Sequence, residues 1–388
     1  MRVAITGALS YTGRYLTKEL LSSSSSSPLA TSILNFSRRT TPISSTLSGD
    51  ELEKISNTPL PWGDSKAMGK SLEGVDVLYC TYWIRFERGG DTHAAASDRV
   101  ASLFRSAAEA GVKKVVFSSH TRASVDSPYS YIAGKARAVE SLREISAGTG
   151  MNYAVVRPCG IFGDSASESI LMNNATYVLR RSPLFLLPGD GSGRFQPVHV
   201  RDMASLMTSV GAASPGTSGE EVRVCEKQGD EMKGLIAPCR YFLTQRRRFD
   251  TFSNLKNLSL ATGVRLSRSL RSSRSLRSSQ LDACGPDCPT PYELFSHLND
   301  NCGGISLVLP SRLPTTVVSQ MTRPIDWFTG DVLLDGDDLD LLDGGITVAD
   351  NPDDPRIKDR RSLFEWVEGV GRGLGEEYVS SVARYYKK

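Results

Sequence analysis

Two residues four positions apart, Tyr131 and Lys135 in the segment YIAGK, have the types and the spacing for proton-transfer chemistry. On a helix, positions i and i+4 share a face, so the lysine ammonium can lie beside the tyrosine phenol. A neighbouring positive charge lowers the pKa of a phenol and lets it act as a general acid or base toward a carbonyl or hydroxyl group. With 13 tyrosines in the chain, about one such spacing is expected by chance, so its position in the fold must decide its meaning.

A second segment, VAITGALSYTGRYL from Val3 to Leu16, has the residues of a phosphate-binding turn between a strand and a helix. Gly7 allows a tight turn after the strand, and Gly13 allows the helix to pack closely on the sheet. The first N–H groups of the helix then face the phosphate. Ser10 stands where a middle glycine is expected, and its hydroxyl can donate to a phosphate oxygen.

Arg38 and Arg39 follow the next predicted strand. An acidic residue at this place would accept the adenosine ribose hydroxyls of NAD, whereas arginines suit the additional phosphate of NADP, and Arg14 can join them. The other interpretation is that these arginines are solvated loop residues. The arginines favour NADP over NAD as the cofactor.

Alternating strand and helix signals in the first half of the chain predict the frame that must position these side chains. The predicted strands are Val3–Thr6, Ser32–Phe36, Val75–Thr81, Val115–Ser118 and Tyr153–Arg157, and the predicted helices are Gly13–Leu21, Ala94–Ala110 and Ala133–Ile145. This alternation predicts a doubly wound parallel α/β sheet, a Rossmann fold, which binds ligands at the carboxyl ends of its strands. Ser119 directly follows the carboxyl end of the strand Val115–Ser118, and the Tyr131–Lys135 pair lies at the start of the next helix.

The composition excludes several other classes of protein. A hydrophobic fraction of 39%, a charged fraction of 23% and a net charge of +3 predict a globular protein with no membrane span and no basic surface for nucleic acid. Seven scattered cysteines form neither a disulfide framework nor a zinc-like spacing, so we expect no metal site. The first strand begins almost at Met1, which leaves no room for a targeting peptide and favours the cytoplasm.

Six segments in order carry a resemblance to a known family: TGALSYTGRYL, VDVLYCTYWIRFERGG, VVFSSH, YIAGKARAVE, VVRPCGIFG and QPVHVRDMA. They resemble the extended and atypical short-chain dehydrogenase/reductases, in particular the NAD-dependent epimerase/dehydratase proteins. These are related to the NAD(P)-binding accessory subunit of respiratory complex I and to NmrA-like proteins. The resemblance is dense from Met1 to about Val210, skips the stretch from about Arg223 to Gln280, and resumes at LDACGPDCPTPYELF and in the C-terminal tail.

The resemblance implies a set of residues that contact the dinucleotide. Asp64 matches an acidic residue near the adenine, the segment from Cys80 to Tyr82 passes along the cofactor, and the turn at Pro158 lies beside the nicotinamide. The implied cofactor-binding residues are Gly7, Ser10, Tyr11, Thr12, Gly13, Arg14, Arg38, Arg39, Asp64, Cys80, Thr81, Tyr82, Lys135, Pro158, Cys159 and Gly160.

The resemblance also implies catalytic roles. Tyr131 matches the acid/base, Lys135 matches its partner and a ligand of the nicotinamide ribose, and Ser119 is our choice for the residue that polarises the substrate, with His120 and Thr121 as alternatives. The implied function is an NAD(P)-dependent oxidoreductase or epimerase that acts on a small carbonyl or hydroxyl compound. The alternative is an NAD(P)-binding structural or redox-sensing protein without turnover. The oligomeric state stays open.

The gap in the resemblance suggests three regions. Residues 1–222 form the Rossmann domain, with part of a substrate lobe from about residue 158, and residues 281–388 form a small C-terminal α/β lobe. Residues 223–280 contain an Arg/Ser-rich tract of low complexity, which predicts a disordered insertion, either genuine or the product of retained intron sequence. In the C-terminal region we expect helices at Tyr292–Leu298 and Ser362–Tyr386 and a strand at Ser306–Leu309.

Overall fold

The computed structural model describes residues 1–22, 28–42, 44, 46–187, 189–213, 278–314, 317–318, 320, 331, 347–350, 352 and 360–385. The strands in this part of the chain are β1 (Arg2–Thr6), β2 (Ser32–Phe36), β3 (Ile55–Thr58), β4 (Val77–Cys80), β5 (Lys114–Ser118), β6 (Asn152–Pro158), β7 (Ile161–Phe162), β8 (Leu184–Leu187), β9 (Val198–His199), β10 (Ser278–Ala283) and β11 (Leu307–Pro310). The helices are α1 (Tyr11–Leu21), α2 (Gly49–Glu53), α3 (Ser65–Leu72), α4 (His93–Glu109), α5 (Ser130–Thr149), α6 (Ile170–Leu179), α7 (Val200–Ala212), α8 (Pro291–Asn301), α9 (Leu363–Val370) and α10 (Ser381–Tyr385).

Seven strands form one parallel sheet in the order β10–β6–β5–β4–β1–β2–β3. The chain starts in the middle of the sheet, runs outward to β3 and then crosses back to β4, so the strand order reverses between β1 and β4. At this switch point the connections leave the sheet on opposite sides and open a crevice. The doubly wound Rossmann fold expected from the sequence is therefore confirmed.

The two faces of the sheet are covered by separate apolar layers because successive side chains of a strand point to opposite faces. Val3 and Ile5 pack with residues of α1 and α7, whereas Ala4 and Leu78 pack with residues of α3, α4 and α5. The sheet is thus buried on both sides, which leaves the strand ends as the places where polar chemistry meets solvent.

A third apolar cluster lies in the smaller lobe. Phe162, Met172, Phe185, Leu294 and Leu363 pack together and join α6, α8 and α9 to the two-stranded sheet of β8 and β11. The small C-terminal α/β lobe is therefore present, and its apolar cluster joins residues 162–187 to residues 294–374. No helix in the described ranges is long and apolar enough to cross a membrane.

The predicted closing helix over Ser362–Tyr386 is wrong as one element, because the chain forms α9, a short 3-10 turn and α10 in its place. Gly371 and Gly375 have φ angles of +53° and +70°, a left-handed conformation that ends a helix. The strand β10 begins at Ser278, three residues before the expected return of order at Leu281, and pairs with β6. The rest of the predicted insertion, residues 223–277, lies outside the described residues.

Candidate functional site

The glycine turn after β1 has the close approach that a phosphate loop needs. Gly7 has a φ of +80°, and its N–H donates to the carbonyl oxygen of Phe36 at 3.0 Å. A Cβ atom added at Gly13 would lie 1.9 Å from the carbonyl oxygen of Gly7, so only glycine lets α1 start against this turn. Ser10 caps α1, because its hydroxyl oxygen accepts from the N–H of Gly13 at 3.3 Å.

Tyr11 and Thr12 are the first two residues of α1, at the carboxyl end of β1. First-turn N–H groups have no acceptor within their own helix, and they carry the positive end of the helix dipole. The tight turn from Gly7 to Gly13 is called the cradle below. Together with this turn, the start of α1 fits a bound diphosphate.

A buried residue that sequence reasoning missed, Asn35, holds this loop in place. Its side-chain oxygen accepts from the N–H of Ala8 at 2.8 Å, and its side-chain nitrogen donates to the carbonyl oxygen of Arg39 at 2.9 Å. Asn35 therefore links the phosphate loop to the segment that bears Arg38 and Arg39. The signal in the sequence was a single amide in the apolar strand SILNF.

The three arginines have different environments. Arg14 is fully buried and forms an ion pair with Glu168, so its guanidinium lies inside the fold and not in the surface loop with Arg38. Burial acts to raise the pKa of Glu168, but the hydrogen bond from Tyr15 and the charge of Arg14 outweigh it and hold this pKa below its usual value. Arg38 is exposed, and Arg39 donates to the carbonyl oxygen of Arg384 at 3.0 Å.

The segment after β4 is tied to the end of β1 by Thr6. The hydroxyl oxygen of Thr6 accepts from the N–H groups of Thr81 and Tyr82 at 2.8 and 2.9 Å, and the Thr81 hydroxyl donates to the carbonyl oxygen of Thr6 at 2.6 Å. Cys80 is the buried last residue of β4. These hydrogen bonds therefore fix the segment after β4 against the end of β1 at the switch point.

Asp64 and Tyr82 stand near the predicted adenine end. Asp64 is exposed and caps α3 by accepting from the N–H of Ala67 at 2.9 Å. The ring centre of Tyr82 lies 4.9 Å from that of Trp62, and its hydroxyl accepts from Arg99 at 3.1 Å. Asp64 thus has a structural use of its own as a helix cap.

The pair Tyr131 and Lys135 lies at the start of α5, beside the end of β5. Lys135 is 3% exposed, and its ammonium donates to the carbonyl oxygen of Ser118 at 2.6 Å. The ammonium lies 6.0 Å from the ring centre of Tyr131 and 4.5 Å from that of Trp83. Burial lowers the pKa of Lys135 to about 7, so the group gains and loses its proton near neutral pH.

Three aromatic side chains surround the ring of Tyr131. The ring centres of Trp83, His93 and His120 lie 6.1, 5.4 and 6.0 Å from it, each in an edge-to-face arrangement. Edge-to-face contacts of this kind fix the direction of a ring. Tyr131 itself is only partly buried, so part of its side chain stays accessible to solvent.

The three candidates for a polarising residue differ in their surroundings. Ser119 is 2% exposed, and its hydroxyl has no hydrogen-bond partner among the described residues. His120 lies beside Tyr131, and its Nδ1 donates to the carbonyl oxygen of Thr121 at 2.6 Å. Burial lowers the pKa of His120 to about 4, so the ring is neutral and its Nε2 carries no proton. The hydroxyl of Thr121 donates to the carbonyl oxygen of Val348 at 3.2 Å.

The turn from Pro158 to Gly160 closes this edge at the end of β6. The N–H of Cys159 donates to the carbonyl oxygen of Ala283 at 3.3 Å, and the carbonyl oxygen of Gly160 accepts from Val198 at 2.8 Å. A Cβ atom at Gly160 would lie 2.6 Å from the ring of Phe195, so a larger residue does not fit. The turn is thereby held between β10 and the lobe.

A parallel sheet with a glycine turn at its switch point and a Tyr–Lys pair at the next strand end defines a dinucleotide-binding α/β protein. The model of the NAD dependent epimerase/dehydratase family matches residues 3–225, more than half of the chain, and the chain belongs to this family. This membership confirms the resemblance noted in the sequence and the expected class of cofactor, NADP or NAD. No curated protein matches the chain.

Several solved structures share the fold. The triphenylmethane reductase of Citrobacter sp., complexed with NADP(H), is 13% identical over 95% of this chain and 100% of that chain, with a TM-score of 0.61. The NADPH-dependent quinone oxidoreductase QOR2 of Escherichia coli, complexed with NADPH, is 16% identical over 95% of this chain and 99% of that chain, with a TM-score of 0.59. A nucleoside-diphosphate-sugar epimerase of Staphylococcus aureus is 14% identical over 95% and 100% of the two chains, with a TM-score of 0.58.

Proposed function

We propose that this protein is an NAD(P)-dependent oxidoreductase or epimerase that acts on a small carbonyl or hydroxyl compound. The observation that carries the proposal is the buried ammonium of Lys135 next to Tyr131, at the same edge of the sheet as the Gly7–Gly13 cradle. A pair able to move a proton and a cradle able to hold a dinucleotide are the two parts that carbonyl reduction requires.

The cradle supports the choice of cofactor, because its shape excludes even a Cβ atom at Gly13. When bound, the dinucleotide supplies or accepts a hydride at its nicotinamide. The residues proposed to hold it are Gly7, Ser10, Tyr11, Thr12 and Gly13 at the diphosphate, Arg38 and Arg39 at the adenosine phosphate, Asp64, Cys80, Thr81 and Tyr82 along the adenosine, and Lys135, Pro158, Cys159 and Gly160 at the nicotinamide end. Arg14 supports this site from inside the fold through Glu168.

Tyr131 is the proposed acid and base. It donates its proton to a substrate carbonyl oxygen during reduction and takes a proton from a substrate hydroxyl during oxidation. In its charged form, Lys135 favours the phenolate of Tyr131 because an opposite charge stabilises an ionised group. A lysine pKa of about 7 lets the protein switch this effect on and off around neutral pH.

Ser119 is the proposed polarising residue, since its hydroxyl is a donor with no acceptor in the described part of the chain. A donor of this kind stabilises charge that develops on a carbonyl oxygen. His120 offers the opposite chemistry, because its Nδ1 proton is used by Thr121 and its Nε2 can only accept. An acceptor beside Tyr131 suits a substrate hydroxyl.

The second candidate is a dinucleotide-binding protein without turnover, which senses or stores the nucleotide. The burial of the Ser119 hydroxyl favours it, because a group that is 2% exposed must gain access before it touches a substrate. Folds of this type serve functions with and without catalysis, so the fold itself does not decide between the candidates.

The deciding experiment has two stages. NADPH and NADH are first titrated against the purified full-length protein by fluorescence, and quinones, other small carbonyl compounds and nucleotide sugars are then screened for turnover. The proposal expects binding of at least one nucleotide and turnover that a Tyr131→Phe variant loses. Absence of binding rules out both candidates, and binding without turnover that depends on Tyr131 leaves the second.

A further inference from the structure

The short helix α10, close to the C-terminus, lies across the strand ends where the cofactor site is proposed. Three arginines connect it to this edge: two of them follow strands of the sheet, and the third belongs to α10. Arg39 after β2 donates to the carbonyl oxygen of Arg384 at 3.0 Å, and Arg85 after β4 donates to the hydroxyl oxygen of Ser381 at 2.9 Å. The guanidinium carbon of Arg384 lies 5.9 Å from the ring centre of Tyr11, after β1.

The position of α10 is well defined. Asp331 accepts from the N–H groups of Ser381 and Val382 at 2.6 and 3.0 Å and from the hydroxyl of Tyr378 at 2.9 Å. Two residues before α10, the backbone of Val379 exchanges two hydrogen bonds with the side chain of Asn174 on α6, at 2.9 and 3.1 Å. A five-residue helix is too short to hold itself, so these contacts are what places it.

The side chain of Arg384 lies beside the ring of Tyr11. Its guanidinium donates to the carbonyl oxygens of Ser167 and Glu168 at 2.9 and 3.2 Å, next to Tyr11, the first residue of α1. Both of these acceptors are neutral, whereas a phosphate is an anion and can take two parallel hydrogen bonds from one guanidinium. A diphosphate at the start of α1 is therefore a better partner for Arg384 than either carbonyl.

We propose that Arg384 is a cofactor-binding residue and that α10 forms the outer wall of the dinucleotide site. The inference rests on the proposed function, since it needs a diphosphate at the start of α1. Arg384 contacts the diphosphate, which NAD and NADP share, and its backbone oxygen orients Arg39 toward the adenosine phosphate, which NADP alone carries. One turn of helix thus acts on both charged groups of the cofactor.

The first test compares nucleotide binding in full-length variants. Arg384→Ala is expected to raise the Kd of NADPH and the Kd of NADH alike, by about 10- to 100-fold, because a charge-assisted contact to a group common to both is lost. Arg384→Lys keeps the charge and is expected to recover part of the affinity. Arg105→Ala on the exposed side of α4 removes the same charge far from the site and should bind as the wild type does.

A second variant leaves Arg384 in place and loosens its support. Asp331→Ala removes the carboxylate that holds the start of α10, so both nucleotides should again bind more weakly, while the thermal midpoint measured without nucleotide reports any damage to the fold. Wild-type binding by Arg384→Ala overturns the inference, and so does tighter binding, which would make α10 an obstacle in the cleft. Absence of nucleotide binding in the wild type overturns the proposed function and this inference together.

Discussion

The ammonium nitrogen of Lys135 lies 2.6 Å from the carbonyl oxygen of Ser118, the last residue of β5. This hydrogen bond joins the second turn of α5 to the end of β5, and Tyr131 lies one turn earlier on the same helix. The residues of the proposed site follow the ends of β1, β2, β4, β5 and β6, so the whole edge of the sheet positions them.

The buried ammonium predicts a particular dependence of stability on pH. Burial lowers the pKa of Lys135 to about 7 in the folded protein, whereas an unfolded lysine keeps a value of roughly 10.4. The unfolded chain then binds more protons between these values, so the contribution of this residue to the free energy of unfolding rises with pH from about 7 upward. In urea unfolding at pH 7 and pH 9, the wild type should gain stability relative to Lys135→Met. Equal changes in the two proteins contradict the assignment of a lowered pKa.

The cradle predicts that one methyl group prevents cofactor binding. In Gly13→Ala the new Cβ atom meets the carbonyl oxygen of Gly7, so the loop must move and NADPH binding should fall by at least about 100-fold, with a loss of roughly 1–3 kcal/mol in stability. The matched control is Gly69→Ala on α3, where nothing lies within 4 Å of the new atom. That variant should bind as the wild type does and be slightly more stable. Similar binding by the two variants is incompatible with a tight cradle.

The surface loop after β2 predicts selectivity between the two nucleotides. Arg39→Ala should raise the Kd of NADPH by about 10- to 100-fold and change the Kd of NADH little, because only NADP carries the adenosine phosphate. Arg39→Lys keeps the charge, so its Kd for NADPH should lie between those of the wild type and Arg39→Ala. Parallel titrations of NADPH and NADH measure the effect. An equal loss of affinity for the two nucleotides contradicts the role given to Arg39.

Replacing Ser119 and His120 one at a time separates the two polar groups beside the substrate site. Ser119→Ala should lower kcat by about 100-fold in the direction of carbonyl reduction, because it removes a hydrogen-bond donor to the developing oxyanion. His120→Ala should leave more of this activity, since its Nε2 can only accept. If His120→Ala loses the activity and Ser119→Ala keeps it, the histidine has the polarising role.

Much of the frame was predictable from the sequence, because alternation of strands and helices, Gly7, Gly13 and the YIAGK segment are local patterns. The residues that hold the site together were not predictable in this way. Thr6 and Asn35 are buried polar residues in mostly apolar strands, and only the register of β1 against β2 and β4 shows what they bind. Likewise, Arg14 and Glu168 are 154 positions apart, a distance at which no spacing rule applies.

The path of the C-terminal part of the chain was also not predictable from local patterns. The segment from Ser362 to Tyr386 has helical composition and predicts one helix, but Gly371 and Gly375 adopt positive φ angles and end the helix there. The break sends the chain back to the sheet edge, where Arg384 meets Tyr11. No local pattern indicates that destination, because it depends on Asp331 and Asn174 at distant positions.

The measurement that tests the central claim most directly follows the oxidation of protein-bound NADPH by a small carbonyl substrate, in the wild type and in Tyr131→Phe, after the Kd of each for NADPH has been determined. We predict that the two proteins bind NADPH equally and that Tyr131→Phe is slower by about 100-fold or more, because only the proton donor is lost. Equal rates in the two proteins, or no binding of the nucleotide to the wild type, contradict the account.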